Sequence, residues 1–150
     1  RKKMKKIIVI NGPNLNKLDE REPDIYGQKR LIDIQKDCQK LSLKLDIQVK
    51  FFQSNSESEI VEYIQNSVKK YDGMIINAAA LTHTSISIHD SLKLLKIPII
   101  EVHLSNPFQR EEFRRKSYIS PVATAILSGL GANVYKIAIQ ALVSLLEEKK

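Results

Sequence analysis

Glu101 and His103 stand two residues apart in the run Ile99-Ile100-Glu101-Val102-His103-Leu104, whose apolar members read as a buried strand. Side chains two apart on a strand share a face. The carboxylate can therefore fix the imidazole's tautomer and raise its basicity, which suits proton transfer. A second concentration of chemistry lies near the start, where Asn11 to Gly27 read NGPNLNKLDEREPDIYG. This run follows apolar Ile7-Ile8-Val9-Ile10 and carries Asn11, Asn14, Asn16, Arg21 and Tyr26. Gly12, Pro13, Pro23 and Gly27 shape its backbone, so it reads as a long ligand-facing loop. His83 sits in Leu81-Thr82-His83-Thr84-Ser85 after another apolar run. His89 falls inside a helical pattern, where a packing or surface role serves equally well.

The familiar cofactor signatures are missing. Gly12 to Lys17 lacks the second glycine and the hydroxyl residue of a phosphate loop, and Gly129-Leu130-Gly131 lacks a third glycine. Two histidines without a third ligand at HExxH-like spacing do not make a metal site, and no G-x-S-x-G elbow occurs. The set that remains suits proton transfer and enolate stabilisation on an oxygen-rich anion, with no metal or cofactor.

The elements that must position these groups alternate strand and helix. Leu31, Ile34, Cys38, Leu41 and Leu45 recur at steps of three and four, predicting a helix. Ile47 to Phe52 reads as a second strand, and Ser56 to Glu59 has capping-box spacing before Ile60, Val61, Ile64 and Val68. Asp72-Gly73 turns into a third strand at Met74 to Ile76. Thr84 or Ser85 can cap a helix carrying Ile86, Ile88, Leu92 and Leu95, stopped before Pro98. Strands at Ile99 to Leu104 and Ala123 to Leu127, then a closing helix from Val134 to Leu145, complete the chain. Five apolar strands separated by helices predict an α/β fold: a five-stranded parallel sheet in a doubly wound, flavodoxin-like three-layer sandwich. In such a sheet ligands bind beyond the carboxyl ends of the strands. There this chain gathers Asn11 to Gly27, Gln53-Ser54-Asn55, Asn77 with the His83 run, and His103 to Asn106.

The 150 residues fit one domain, residues 1–150, with residues 1–6 as a basic, flexible extension. Hydrophobic residues at 43% argue against disorder. No apolar run approaches the roughly 20 residues that cross a bilayer, and no secretory signal is evident. One cysteine, Cys38, excludes an internal disulfide framework and fits the cytoplasm, and its place on a helical apolar stripe assigns it to the core. The net charge is +7, but Arg1, Lys2, Lys3, Lys5 and Lys6 supply five of those charges. Without tryptophan or aromatic–basic alternation, neither nucleic acid nor membrane is expected as a partner. The remaining positive field favours a small anionic substrate.

Taken in order, NGPNLN, the REP to YG segment from Arg21 to Gly27, QSN at Gln53 to Asn55, LTHTS at Leu81 to Ser85, EVHLSN at Glu101 to Asn106, REEFR at Arg110 to Arg114 and GLG at Gly129 to Gly131 are similar to the motifs of the type II 3-dehydroquinate dehydratases. The resemblance runs from Ile7 to about Leu145. It implies a cytoplasmic lyase of the shikimate route to chorismate and the aromatic amino acids, or of quinate breakdown. Such an enzyme dehydrates 3-dehydroquinate through an enolate without metal or cofactor, and assembles as a homododecamer, a tetramer of trimers. Tyr26 matches the base that removes the proton next to the ketone, Arg21 the arginine that activates it, and His103 the general acid. Glu101 matches the carboxylate orienting that acid, and Asn14 the amide holding a water against the enolate oxygen. Asn77, His83, Asp90, Arg114 and the Leu104-Ser105 backbone match the groups that grip the substrate. Asp19, Ser58, Ala78 to Ala80 and Pro107 depart from the family's usual residues without removing an assigned group. Two rival readings remain from the residues alone: a flavodoxin-like module carrying a flavin or nucleotide, and a basic nucleic-acid-binding protein.

Overall fold

A computed structural model describes residues 3–148, apart from residue 27 and the side chain of residue 26. Five parallel strands, β1 (Lys6–Asn11), β2 (Gln48–Gln53), β3 (Gly73–Asn77), β4 (Ile99–His103) and β5 (Ala125–Ser128), lie in the order β2-β1-β3-β4-β5. That order is doubly wound about β1. The helices are α1 (Pro23–Tyr26), α2 (Leu31–Leu45), α3 (Glu57–Asn66), α4 (Ile86–Leu92) and α5 (Asn133–Glu148). Alternate residues of each strand feed opposite faces. Ile7, Val9 and Ile75 meet Ile34 and Cys38 of α2 and Ala138 and Leu142 of α5. Ile8, Ile10, Met74 and Ile76 meet Ile60 and Ile64 of α3 and Ile88 and Leu92 of α4. Burying a Val, Leu or Ile side chain stabilises by about 1.5–3 kcal/mol, so the two-sided sheet is the main source of cohesion. The expected three-layer α/β architecture is the one observed.

The differences from the sequence expectations are local. The Asn11 to Gly27 run is not a plain loop. It folds into a 3-10 helix, Leu15–Glu20, followed by α1, and Leu15 and Leu18 bury themselves against the α2–α5 side of the core. Such short helices give too few turns for a periodic signal. Lys6 belongs to β1 rather than to the basic extension, and its amide donates to Asp72 Oδ2 at 2.8 Å. Helix α4 ends at Leu92, where Leu94 and Leu95 close onto Ser91 and Leu92 by i−3 bonds. Ser85, not Thr84, caps it by accepting from the amide of Ile88. β5 starts two residues late because Ser120–Val122, carrying Pro121, winds into a 3-10 turn before the ladder opposite Ile100 begins at Ala125.

Cys38 is fully buried on α2. Burial, reinforced by the nearby Asp37 charge, pushes its thiol up to about 12. The raised value means the neutral thiol stabilises the fold at pH values below the ordinary thiol range near 9. That contribution is lost as pH climbs from there towards 12. At pH 8 a thiol-reactive dye should therefore leave the native protein unlabelled and react within minutes of denaturation. Rapid labelling of the native chain would contradict this packing.

Candidate active site

The site grows from the carboxyl edge of the sheet. The register sets Asn11 beside Gln53 on one side and Asn77 on the other. Gly12 then leaves β1 in contact with the β3 exit, its amide donating to the carbonyl of Asn77 at 2.8 Å. A Cβ at Gly12 would lie 2.5 Å from the Ala78 carbonyl oxygen, so no larger residue permits this approach. Across the edge the two faces carry different equipment. Asn11 and Asn77 face α5, where the Tyr135 hydroxyl donates to Asn11 Oδ1 at 2.6 Å and accepts from Asn77 Nδ2 at 3.0 Å. Asn77 Oδ1 in turn accepts from the amide of Ala79 at 3.2 Å. The Asn77 side chain is thereby held in one orientation.

Glu101 and His103 occupy the opposite face of β4, as their spacing required. His103 Nε2 donates to Glu101 Oε2 at 2.6 Å, with Glu101 only 1% exposed and His103 9%. Burial by itself would raise the Glu101 carboxyl. Hydrogen bonds from His103, Ser120 and Ser117, together with the electrostatic influence of the His103 ring, outweigh it and hold the group below the usual carboxylate range. Glu101 is therefore ionised at neutral pH, its partner nitrogen carries the hydrogen, and Nδ1 is left for a ligand. His83 stacks beside His103 with centroids 6.5 Å apart. Its Nδ1 donates to the carbonyl of Lys116 at 2.7 Å. Burial, helped by the charges of His103 and Arg114, lowers the His83 pKa, so this ring is neutral at pH 7.

These groups surround a cavity of about 40 Å³ lined by Arg21, Asn77, His83, His103, Leu104, Ser105, Arg110 and Arg114, with Leu15, Ala79, Ala80 and Pro107 as its apolar walls. Three guanidinium groups around so small a volume fit an anionic, oxygen-rich ligand. Glu111 at the rim accepts from Arg114 Nε at 3.1 Å, and Arg110 Nη1 donates to Ser105 Oγ at 3.3 Å. A larger groove of about 560 Å³ between α2 and α5 is lined by Lys40, Lys44 and Lys136 but lacks an acid–base pair, so volume alone does not locate the chemistry.

Of the residues singled out from sequence, Arg21, Asn77, His83, His103, Leu104, Ser105 and Arg114 line this cavity, and Glu101 lies directly behind His103. Asn14 does not line it. It is exposed with φ 70, and its amide donates to Asn55 Oδ1 at 2.9 Å. Asp90 points to solvent on α4, also outside the lining. Tyr26 closes α1, but its side chain and the expected hinge Gly27 lie outside the described residues. Sequence reasoning gave no role to Arg110, Tyr135, Ser117 or Ser120. Arg110 could have been picked out as the first residue of REEFR, whereas a tyrosine on an apolar helix face and two serines in a loop carry no signal of their own.

A model of the class II dehydroquinases matches residues 5–143. The chain belongs to the class II dehydroquinase family. It is 52% identical to the 3-dehydroquinate dehydratase of Endomicrobium trichonymphae, over 95% of this chain and 100% of that one. It is 51% identical to the 3-dehydroquinate dehydratase of Prochlorococcus marinus strain NATL1A, over 94% and 97%. The type II dehydroquinase crystal structure from Butyrivibrio crossotus superposes with a TM-score of 0.90 at 40% identity, covering 93% of this chain and 97% of that one. The one from Propionibacterium acnes gives 0.89 at 37%, covering 97% and 99%. In this class II dehydroquinase, Ala79 adopts φ 54. A left-handed alanine costs roughly 1–2 kcal/mol. Pro107 sits in the first turn of the 3-10 helix Pro107–Gln109, where its missing amide hydrogen costs nothing.

Tyr135→Phe removes one hydroxyl and strips a partner from both Asn11 Oδ1 and Asn77 Nδ2. An unsatisfied buried polar group costs about 1–3 kcal/mol. Thermal or urea unfolding of this variant should show a stability loss of at least that size, and an unchanged midpoint would mean the network contributes nothing.

Proposed function

We propose that the protein dehydrates 3-dehydroquinate to 3-dehydroshikimate through an enolate, with its own side chains supplying acid and base. The observation that carries this reading is the buried His103–Glu101 pair, 2.6 Å apart, opening into an arginine-walled cavity. Full-length similarity to 3-dehydroquinate dehydratases supports the choice of substrate. Tyr26 removes the proton next to the ketone. A free tyrosine, with a pKa of about 10, is a poor base at pH 7. An adjacent cation typically lowers such a value by about 1–3 units, and Arg21, five residues earlier, is the cation assigned to that task. Asn14, although outside the cavity lining, is the amide assigned to hold a water against the enolate oxygen. His103 then delivers a proton from Nδ1 to the departing hydroxyl, with Glu101 stabilising the imidazolium. Asn77, His83, Arg114 and the backbone at Leu104 and Ser105 grip the ring's hydroxyls and carboxylate, and Asp90, which the resemblance assigns to the same task, lies outside the cavity lining.

The cavity of about 40 Å³ is far below the about 300–1,000 Å³ of ordinary ligand pockets. In this reading the wall that bears Arg21 moves outward to admit a ring and closes again to exclude water. One domain spanning the chain, a dodecamer of four trimers and a cytoplasmic location belong to the same reading. Among the described residues no helix is long and apolar enough to cross a membrane.

Adding 3-dehydroquinate to chelator-treated, dialysed protein should generate the absorbing conjugated enone of the product. No absorbance change would dismiss the reading, and activity restored only by a divalent ion would dismiss its cofactor-free form. A double-mutant cycle tests the base and its activator. Tyr26→Phe and Arg21→Ala should each depress kcat strongly, and the double variant should fall far less than the product of the two losses. Full multiplicativity would show that the two side chains act independently.

A further inference from the structure

Glu101 poses a problem that His103 does not solve alone. A buried carboxylate has about four acceptor sites and costs several kcal/mol in lost hydration unless they are filled. His103 occupies one site on Oε2. A second bond to Oε2 comes from Ser117 Oγ at 2.9 Å, and Oε1 receives Ser120 Oγ at 2.5 Å. Neither serine lines the cavity. Both approach the carboxylate from behind, on the segment that joins the REEFR run to the 3-10 turn Ser120–Val122.

That segment is held firmly. Ser117 Oγ accepts from the amides of Ile119 and Ser120, each at 3.0 Å, which commits its hydrogen to Glu101. The Tyr118 amide donates to the Thr82 carbonyl at 2.9 Å, and the Tyr118 carbonyl accepts from His89 Nδ1 at 2.6 Å. Ile119 is fully buried in the α3–α4 side of the core. One residue earlier, the Lys116 carbonyl accepts the His83 bond and so sets that ring's tautomer. A single strap thus governs both histidines of the cavity.

We propose that Ser117 and Ser120 are positioning residues for the acid step, holding the Glu101 carboxylate charged and turned so that Oε2 meets His103 Nε2. The role rests on the reading of His103 as the general acid. It differs from a purely structural one, in which the serines would only close a turn. Without the two hydroxyls the buried carboxylate keeps its desolvation but loses two of its donors, so it takes up a proton at higher pH. A protonated Glu101 no longer favours the imidazolium, and the acid is lost.

The test compares the wild-type chain with Ser117→Ala/Ser120→Ala and with Ser120→Thr, which retains the hydroxyl. Carbon-13 NMR titration of the glutamate carboxyls, with Glu101 assigned through Glu101→Gln, needs no substrate. In the double alanine variant the Glu101 midpoint should move to higher pH. With 3-dehydroquinate as substrate, the acid limb of its kcat profile should move the same way. Its kcat at neutral pH should fall roughly 10- to 100-fold, as expected for lost hydrogen bonds to a charged group, while KM changes little. Ser120→Thr should restore the wild-type profile. An unmoved Glu101 midpoint, or a kcat profile superimposable on wild type, overturns the proposal. A wild-type protein that does not turn over 3-dehydroquinate overturns the reading of the site instead, and the NMR titration still decides whether the serines hold the charge.

Discussion

A carboxylate placed inside a parallel sheet must be kept charged without water, and much of this molecule is arranged around that demand. Glu101 sits on β4 in register with Ile76 and Ile126, between apolar neighbours that offer it nothing. Its donors have to come from elsewhere: from His103 two residues on, and from the strap that returns over the α3–α4 face. The strap needs Ile119 in the core to stay in place, and the core needs α4 capped by Ser85. Charge, strap and helix therefore stand or fall together. Because the Glu101 carboxyl is held below its ordinary range, its contribution to stability is present above that range and disappears as pH falls through the folded value.

The opposite face of the sheet solves a related problem with neutral groups. Asn11 and Asn77 end buried strands where main-chain pairing stops, and Tyr135 bridges them from α5. The tyrosine is wholly buried, and burial, the largest influence on its hydroxyl, raises the pKa so that the proton stays in place. An ionic network on one face and an uncharged one on the other meet at the same cavity. The titratable His103–Glu101 pair thus lies on one side, and the neutral network that orients Asn77 lies on the other.

Most of this was legible in the residues because the informative signals are long or ordered. The periodicity of Leu31 to Leu45 specified α2 to the residue, and the i, i+2 spacing of Glu101 and His103 placed both on one face. The carboxyl-edge rule then located the cavity without reference to any relative. Family membership separates the lyase reading from the flavin-module and nucleic-acid readings, which composition alone had left open. What the sequence could not express was contact across large separations. Tyr135 reaches Asn11 over 124 residues, and Ser120 reaches Glu101 over 19. Neither distance leaves a local pattern. Leu15 and Leu18 were hidden for a different reason: two leucines in a polar run have no period to betray that they are buried.

The first of those leucines decides how part of the cavity would meet a designed ligand. Leu15, 2% exposed, is both core residue and cavity wall, so the surface it offers is as rigid as the sheet beneath it. Beyond Leu18 the chain carries exposed Asp19, Glu20, Glu22, Pro23 and Asp24, and Ile25 packs inward. Arg21 stands on that stretch. An inhibitor that draws its affinity from the Leu15, Ala79 and Pro107 side would bind a surface that is already formed. One that depends on Arg21 would draw instead on charge, which the guanidinium offers to an anionic group. For this protein, rigid apolar shape and guanidinium charge are two separate starting points for chemistry.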